Sequence, residues 1–136
     1  MFRSPHPKHL IVKSGLQGQG VFTLRPIKAD DVIFEMKGKM VDAPTQTSVQ
    51  VGDKQHIEDN LAKYLNHHCE ASARVDREKK ALVALRNLNP GDEITFDYRK
   101  NEDKMAVPFM CGCCGKRICG KSGKPAENKN PAILLR

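Results

Sequence analysis

The chain contains no tryptophan and only two tyrosines in 136 residues, and aromatic residues make up 5% of it. Large apolar side chains are scarce, so a single domain with a thin core is expected, supplemented by some other means of closure. No apolar run approaches the roughly 20 residues of a membrane helix, so no membrane partner is expected. The first eight residues, Met1 to Lys8, lack the apolar stretch of a secretion signal. The five cysteines are an odd number, and four of them crowd together, which suits a metal better than a disulfide framework. These absences predict a reduced, intracellular protein, cytoplasmic if bacterial and nuclear or cytoplasmic if eukaryotic.

Acidic residues are the minority, 16 against 23 basic, and the resulting +7 is unevenly placed. From Lys116 onward six basic residues face one acid, Glu127, so this tail carries +5. Such a tail offers a surface for nucleic acid through counterion release. It also reads simply as a solvated terminus, and its Gly, Pro, Asn and Lys content predicts little order.

Extended segments dominate the remainder. His9 to Lys13, Val21 to Leu24, Val32 to Met36, Ser48 to Val51, Ala81 to Leu85 and Glu93 to Phe96 read as short strands. A glycine-bearing bend is expected over Gly15 to Gly20. Apolar residues at Ile57, Leu61, Tyr64 and Leu65 predict about two turns of helix. Asn89-Pro90-Gly91-Asp92 is a tight-turn signal, because Pro presets φ and Gly accepts a positive φ. There is no internal repeat.

Four pieces carry chemistry. Gly18-Gln19-Gly20 lets backbone approach a ligand, or simply bends the chain. No helix pattern follows it, so it is not a dinucleotide fingerprint. Asn66-His67-His68-Cys69 sets an amide that can read a planar heterocycle, or hold a loop, beside two imidazoles and a thiol. Tyr98 is expected at the end of a strand whose alternation buries Ile94 and Phe96, where a tyrosine also serves as a core lid. Cys111, Cys113, Cys114 and Cys119 fall within nine residues, with Gly112 permitting a tight knuckle. A tetrahedral zinc needs four such ligands, and Cys69 is the candidate for one supplied from upstream. One thiol of Cys113 and Cys114 is then spare.

These four pieces, in this order, resemble the SET-domain protein lysine methyltransferases with a post-SET zinc motif, in the form found in small, bacterial-type members. The resemblance runs from about Leu10 to Gly120. Gly18 to Phe22 is similar to the family's Gly-x-Gly stretch, and Asn66-His67-His68-Cys69 to its Asn-His-Ser-Cys signature. Gly91 to Tyr98 is similar to its Gly-Glu-Glu-Leu-Thr-Phe-Asp-Tyr signature, and Pro108 to Gly120 to its post-SET knuckle. His68 stands where the family has serine, and Glu70-Ala71-Ser72-Ala73 where it has Asp-Pro-Asn-Ala, which predicts a looser turn there. Only Tyr64 remains to serve as a second channel tyrosine.

The resemblance implies a mainly β SET fold (β-clip) of short strands in small sheets, with one or two short helices and a C-terminal zinc knuckle. It implies an N-terminal extension over 1–8, the SET domain over 9–100, the post-SET segment over 101–120 and a basic tail over 121–136. The implied activity is S-adenosylmethionine-dependent methylation of a lysine on a protein substrate, histone or histone-like, by a monomer. Tyr98 would be catalytic, and Gly18, Gln19, Gly20, Asn66 and His67 would contact the cofactor. Phe96 and Phe109 would line the substrate channel, and phenylalanine at 96 implies room for a second or third methyl. Cys69, Cys111, Cys113 and Cys119 would hold one structural zinc, with Cys114 the alternative to Cys113. A different class also fits these residues, a zinc-stabilised SET-like module with weak or no activity that binds a peptide or nucleic acid.

Overall fold

The fold is described from a computed structural model over residues 7–15, 18–103, 105, 106, 108–110, 117 and 118. Strand β1 (Leu10–Gly15) returns antiparallel as β2 (Gly18–Thr23), in register from Leu10 opposite Thr23 to Gly15 opposite Gly18. The bend expected over Gly15 to Gly20 is therefore the end of a hairpin, with most of those residues extended. Gly18 has φ of 84°, a conformation that favours glycine.

After β3 (Val32–Glu35) and β4 (Lys39–Val41), the chain forms a hairpin of β5 (Val49–Gly52) and β6 (Gln55–Glu58). The helix expected over Ile57 to Leu65 is absent. Ile57 lies on β6, and only one 3-10 turn, Ala62–Tyr64, follows. The side chain of Asp59 accepts from the backbone N–H groups of Leu61 and Ala62 at 2.8 Å each, which starts that turn where a strand has ended. Ile57, Leu61 and Leu65 still face one core, so their spacing imitates a helix.

Next come β7 (Asn66–His67), β8 (Ala73–Asp76), β9 (Ala81–Ala84) and β10 (Glu93–Phe96). The Asn89–Asp92 turn feeds β10 as expected. Asp92 N–H donates to the Asn89 carbonyl at 3.0 Å, and Gly91 has φ of 93°, as a type II turn demands after Pro90. Tyr98 opens a one-turn helix α1 (Tyr98–Asn101) and does not end the strand, because Asp97 accepts from Arg99 N–H and caps it. Last come β11 (Phe109–Met110) and β12 (Arg117–Ile118), paired antiparallel.

The described strands form small sheets ordered β1-β2-β10-β7, β3-β9-β8, β4-β6-β5 and β11-β12. This is the mainly β architecture with few short helices that the sequence implies. Val21, Leu82, Leu88 and Ile94 are fully buried where the sheets meet. Each such side chain contributes about 1.5–3 kcal/mol by burial. Among the described residues no helix is long and apolar enough to cross a membrane. Cys111, Cys113, Cys114, Cys119 and the 121–136 tail lie outside the described residues.

Candidate functional site

The site is assembled where β10 runs between β2 and β7. The β10–β7 pairing is parallel, with Thr95 opposite Asn66 and Phe96 opposite His67. Two motifs nearly thirty residues apart in sequence thus lie side by side. On its other edge β10 pairs with β2, setting Glu93 opposite Phe22 and Ile94 opposite Val21.

Gly20 owes its identity to close approach. A Cβ there would lie 2.4 Å from a Glu93 carboxylate oxygen and 3.0 Å from Asn66 Nδ2. That amide nitrogen donates to Glu93 Oε2 at 2.8 Å and to the Gln19 carbonyl at 3.0 Å. Gln19, Gly20 and Asn66 therefore converge, with Gly18 at the start of the same strand. Glu93 joins them; it lies within the Gly91 to Tyr98 motif, but the sequence assigns it no role.

His67 is buried, and both of its ring nitrogens face protein atoms. Nδ1 accepts from the backbone N–H of Tyr98 at 3.0 Å, and Nε2 lies 3.6 Å from the Cys69 sulfur. This geometry puts the ring proton on Nε2. Burial lowers the His67 pKa below the ordinary histidine value, and Arg99 and His68 add to that, against Asp97, which raises it. The Asp97 oxygen 3.6 Å from Nδ1 is thus no strong ion-pair partner. Asp97 turns instead to Arg99, which donates through Nε at 3.0 Å and a terminal nitrogen at 2.8 Å. Burial raises the Asp97 pKa, but these bonds and the Arg99 charge outweigh it and hold the carboxyl below its usual range.

The Tyr98 hydroxyl donates to the Leu65 carbonyl. Its ring packs against Phe96 at 4.6 Å, His67 at 5.3 Å and Phe109 at 5.8 Å between centroids. Phe109 in turn meets His67 edge-on at 6.0 Å. The expected tyrosine and both channel phenylalanines therefore form one aromatic cluster. Beside it Val49, Leu65, Phe96, Tyr98 and Glu102 border a recess of about 40 Å³. That is on the order of three water-sized spheres, room for the end of an aliphatic chain and far too little for a nucleoside.

The loop after His67 is tied down despite its unusual residues. His68 Nδ1 accepts from Glu70 N–H at 2.9 Å. Ser72 is buried; its hydroxyl donates to the Glu93 carbonyl at 2.8 Å and accepts from Thr95 N–H at 2.9 Å. Where the missing proline and asparagine lead one to expect a looser turn, Ser72 stitches the loop to β10. Cys69 is the one described cysteine, and among the described residues no three ligating side chains cluster around a metal position.

The sequence matches a family model described as SET domain over residues 18–99. It is 26% identical over 130 residues to the Drosophila melanogaster histone-lysine N-methyltransferase SETD1, covering 77% of this chain and 8% of that protein. It is 24% identical over 156 residues to a Candida albicans histone-lysine N-methyltransferase described as H3 lysine-36 specific, covering 96% and 18%. The chain thus spans less than a fifth of the length of these relatives. Among solved structures, KRYPTONITE in complex with mCHG DNA and SAH shares the fold. The TM-score is 0.64 at 22% identity, over 80% of this chain and 28% of that one.

Proposed function

The chain belongs to the SET-domain family, and from that premise we propose that it is a protein lysine N-methyltransferase using S-adenosylmethionine. The observation that carries this reading is the parallel pairing of β7 with β10. It sets Asn66 and His67, behind which Gly20 and Glu93 converge, next to the strand that leads into Tyr98.

The cofactor supplies an electrophilic methyl group on a positive sulfonium. Gly18, Gln19 and Gly20 would meet it through backbone, with Asn66 beside them and His67 contributing main chain, since its ring nitrogens face Tyr98 and Cys69. The donor set fits a cation-bearing ligand, because the Glu93 carboxylate sits against Gly20 and Asn66. The similar structure named with SAH supports this choice.

A lysine amine, with an ordinary pKa of about 10.4, must be neutral to attack. The Phe96, Leu65 and Val49 side of the recess would disfavour the ammonium by desolvation, with Lys63 acting in the same direction and Glu102, when ionised, against it. With its proton directed at the Leu65 carbonyl, the Tyr98 oxygen is left as an acceptor that can orient the amine. Fixing that geometry supplies much of the rate in a displacement of this kind. The names of the relatives support a histone or histone-like acceptor.

One structural zinc would be held by Cys69 with Cys111, Cys119 and either Cys113 or Cys114. Phe109 packs on His67, whose Nε2 faces the Cys69 sulfur.

Calorimetric titration with S-adenosylmethionine, followed by labelled-methyl transfer to a histone and protein array, tests the proposal. Saturable binding with label on lysine is expected. Binding of a peptide without cofactor binding or transfer would favour a non-catalytic module.

A further inference from the structure

Gln50 on β5 is buried, and almost all of its hydrogen bonds lead to the segment that follows Tyr98. Its backbone N–H donates to the Glu102 carboxylate at 2.9 and 3.2 Å, and its carbonyl accepts from Asn101 Nδ2 at 3.0 Å. Its side-chain oxygen accepts from Asp103 N–H at 2.7 Å. Its side-chain nitrogen donates to Asp103 Oδ2 at 2.8 Å and to the Gly52 carbonyl at 3.0 Å. Glu102 N–H donates to the Tyr98 carbonyl at 2.9 Å, closing the last turn of α1. The edge of the β4-β6-β5 sheet is thereby bolted to the helix that bears the tyrosine.

Val49 precedes Gln50, and the chain from Pro44 to Val49 forms one wall of the recess against Tyr98 and Glu102. Pro44 to Ser48 belong to no strand or helix, and they are tied to the fold through the Thr45 and Thr47 hydroxyls, which donate to the Glu58 carboxylate on β6, so the wall moves with the β4-β6-β5 sheet to which Gln50 belongs. We infer that Gln50 and Glu102 form a clamp that positions the 44–49 wall against Tyr98 and so governs entry of the acceptor lysine. This rests on the methyltransferase reading above. Both are positioning residues, since neither is assigned contact with the reacting atoms.

A buried carboxyl at the hinge makes the clamp sensitive to pH. Burial pushes Glu102 up to about 7, partly offset by the bonds from Gln50 and Asn101 and by Arg77, while Asp103 adds to the rise. The groups around it are Gln50 on β5, Asn101 and Asp103 beside it in the chain, and Arg77, which donates to the Asn101 carbonyl. His56 on β6 lies opposite Gln50 and feels Asp103 and Arg77. Its Nδ1 has no partner among the described residues, and burial lowers its pKa, so it is neutral when Glu102 ionises. Burial opposes ionisation by more than the bonds from Gln50 and Asn101 favour it, so loss of the Glu102 proton weakens the closed clamp.

The test compares wild type with Gln50→Ala, Asp103→Ala, Glu102→Ala and Glu102→Gln, using recombinant histone H3 as acceptor. For Gln50→Ala, the H3 KM is expected to rise about tenfold with kcat changed by less than about threefold, as misplacement of a binding wall implies. Asp103→Ala, which is half exposed and leaves the core intact, should follow in the same direction. Wild-type KM should climb as pH passes through about 7, and Glu102→Gln should flatten that profile. Affinity for S-adenosylhomocysteine should not change in any variant. Hydrogen exchange over residues 44–52 should quicken in Gln50→Ala. The Gln50–Glu102 bonds use the Gln50 backbone and survive Gln50→Ala, so Glu102→Ala is the variant that cuts them. Unchanged KM and unchanged exchange in folded Glu102→Ala, Gln50→Ala and Asp103→Ala would overturn the clamp. If wild type binds S-adenosylhomocysteine but does not methylate H3, exchange alone decides for or against the clamp. If wild type binds no cofactor, the methyltransferase reading fails, and with it the clamp's proposed role in substrate entry.

Discussion

The backbone N–H of Tyr98 donates to Nδ1 of His67 at 3.0 Å, across 31 positions of sequence. The bond ties the first residue of α1 to β7 and requires an unprotonated Nδ1. The imidazole is thus part of the support for the tyrosine.

Acid should weaken this arrangement. His67 and His56 both have folded pKa values below the ordinary histidine value, each chiefly through burial. Their stabilising contribution is present above the unfolded value of about 6.5 and is lost as pH falls through the lowered folded values. His67→Ala orphans the Tyr98 N–H and should cost about 1–3 kcal/mol at pH 7. Thermal melts of this variant should also lose part of the acid-side slope below about pH 6. An unchanged slope would contradict the neutral, buried imidazole.

Glu102 should act with the opposite sign. Its folded pKa, about 7, stands above the usual value of 4.5. Its contribution is full below the unfolded value and lost as pH rises through about 7. Glu102→Gln should therefore gain on wild type between pH 5 and pH 8, by up to about 3 kcal/mol. Denaturant melts at the two pH values measure the difference, and a constant gap would refute it.

The glycines should separate fold from site. A Cβ on Gly38 would lie 1.6 Å from the Glu58 carbonyl oxygen, which is backbone of β6 and cannot move aside alone. Gly38→Ala should cost about 3 kcal/mol or more by forcing β4 from β6. At Gly20 the obstruction is the flexible end of Glu93, so Gly20→Ala should fold, with a loss of about 1 kcal/mol. Because it displaces Asn66 and Glu93, it should weaken S-adenosylmethionine binding about tenfold, or 1.4 kcal/mol. Calorimetry showing unaltered affinity would remove these residues from the cofactor site.

How much of this was legible in the sequence depends on where each signal resides. The turn before β10 was readable because Pro90 and Gly91 set their own backbone angles. Ile57 to Leu65 misled, because a strand and a 3-10 turn present apolar residues to one core at helical spacing. Strand β7 has two residues and owes its existence to pairing with β10, so no local pattern announces it. Gly18 to Gly20, Asn66, His67, Phe96, Tyr98 and Phe109 could be picked out through motif resemblance. Gln50 and Glu102 could not, and Glu93, though inside the Gly91 to Tyr98 motif, showed no partner, since the meaning of all three lies in partners 27 to 52 residues away.

One zinc per chain is expected in protein purified without chelators, measured by elemental analysis. Cys69→Ser should lower zinc content and loosen the segment after Phe109, seen as faster proteolysis there. Full zinc occupancy in that variant would remove Cys69 from the ligand set.

The central claim is tested most directly by single-turnover transfer of labelled methyl from S-adenosylmethionine to histone H3, comparing wild type with Tyr98→Phe. The substitution removes one hydroxyl and its bond to Leu65, worth about 1 kcal/mol of stability. The account predicts label on H3 lysine with wild type. Tyr98→Phe should transfer at least about a hundredfold more slowly while binding cofactor within about twofold of wild type. Equal transfer rates in the two proteins would contradict the assignment of Tyr98 as the catalytic residue.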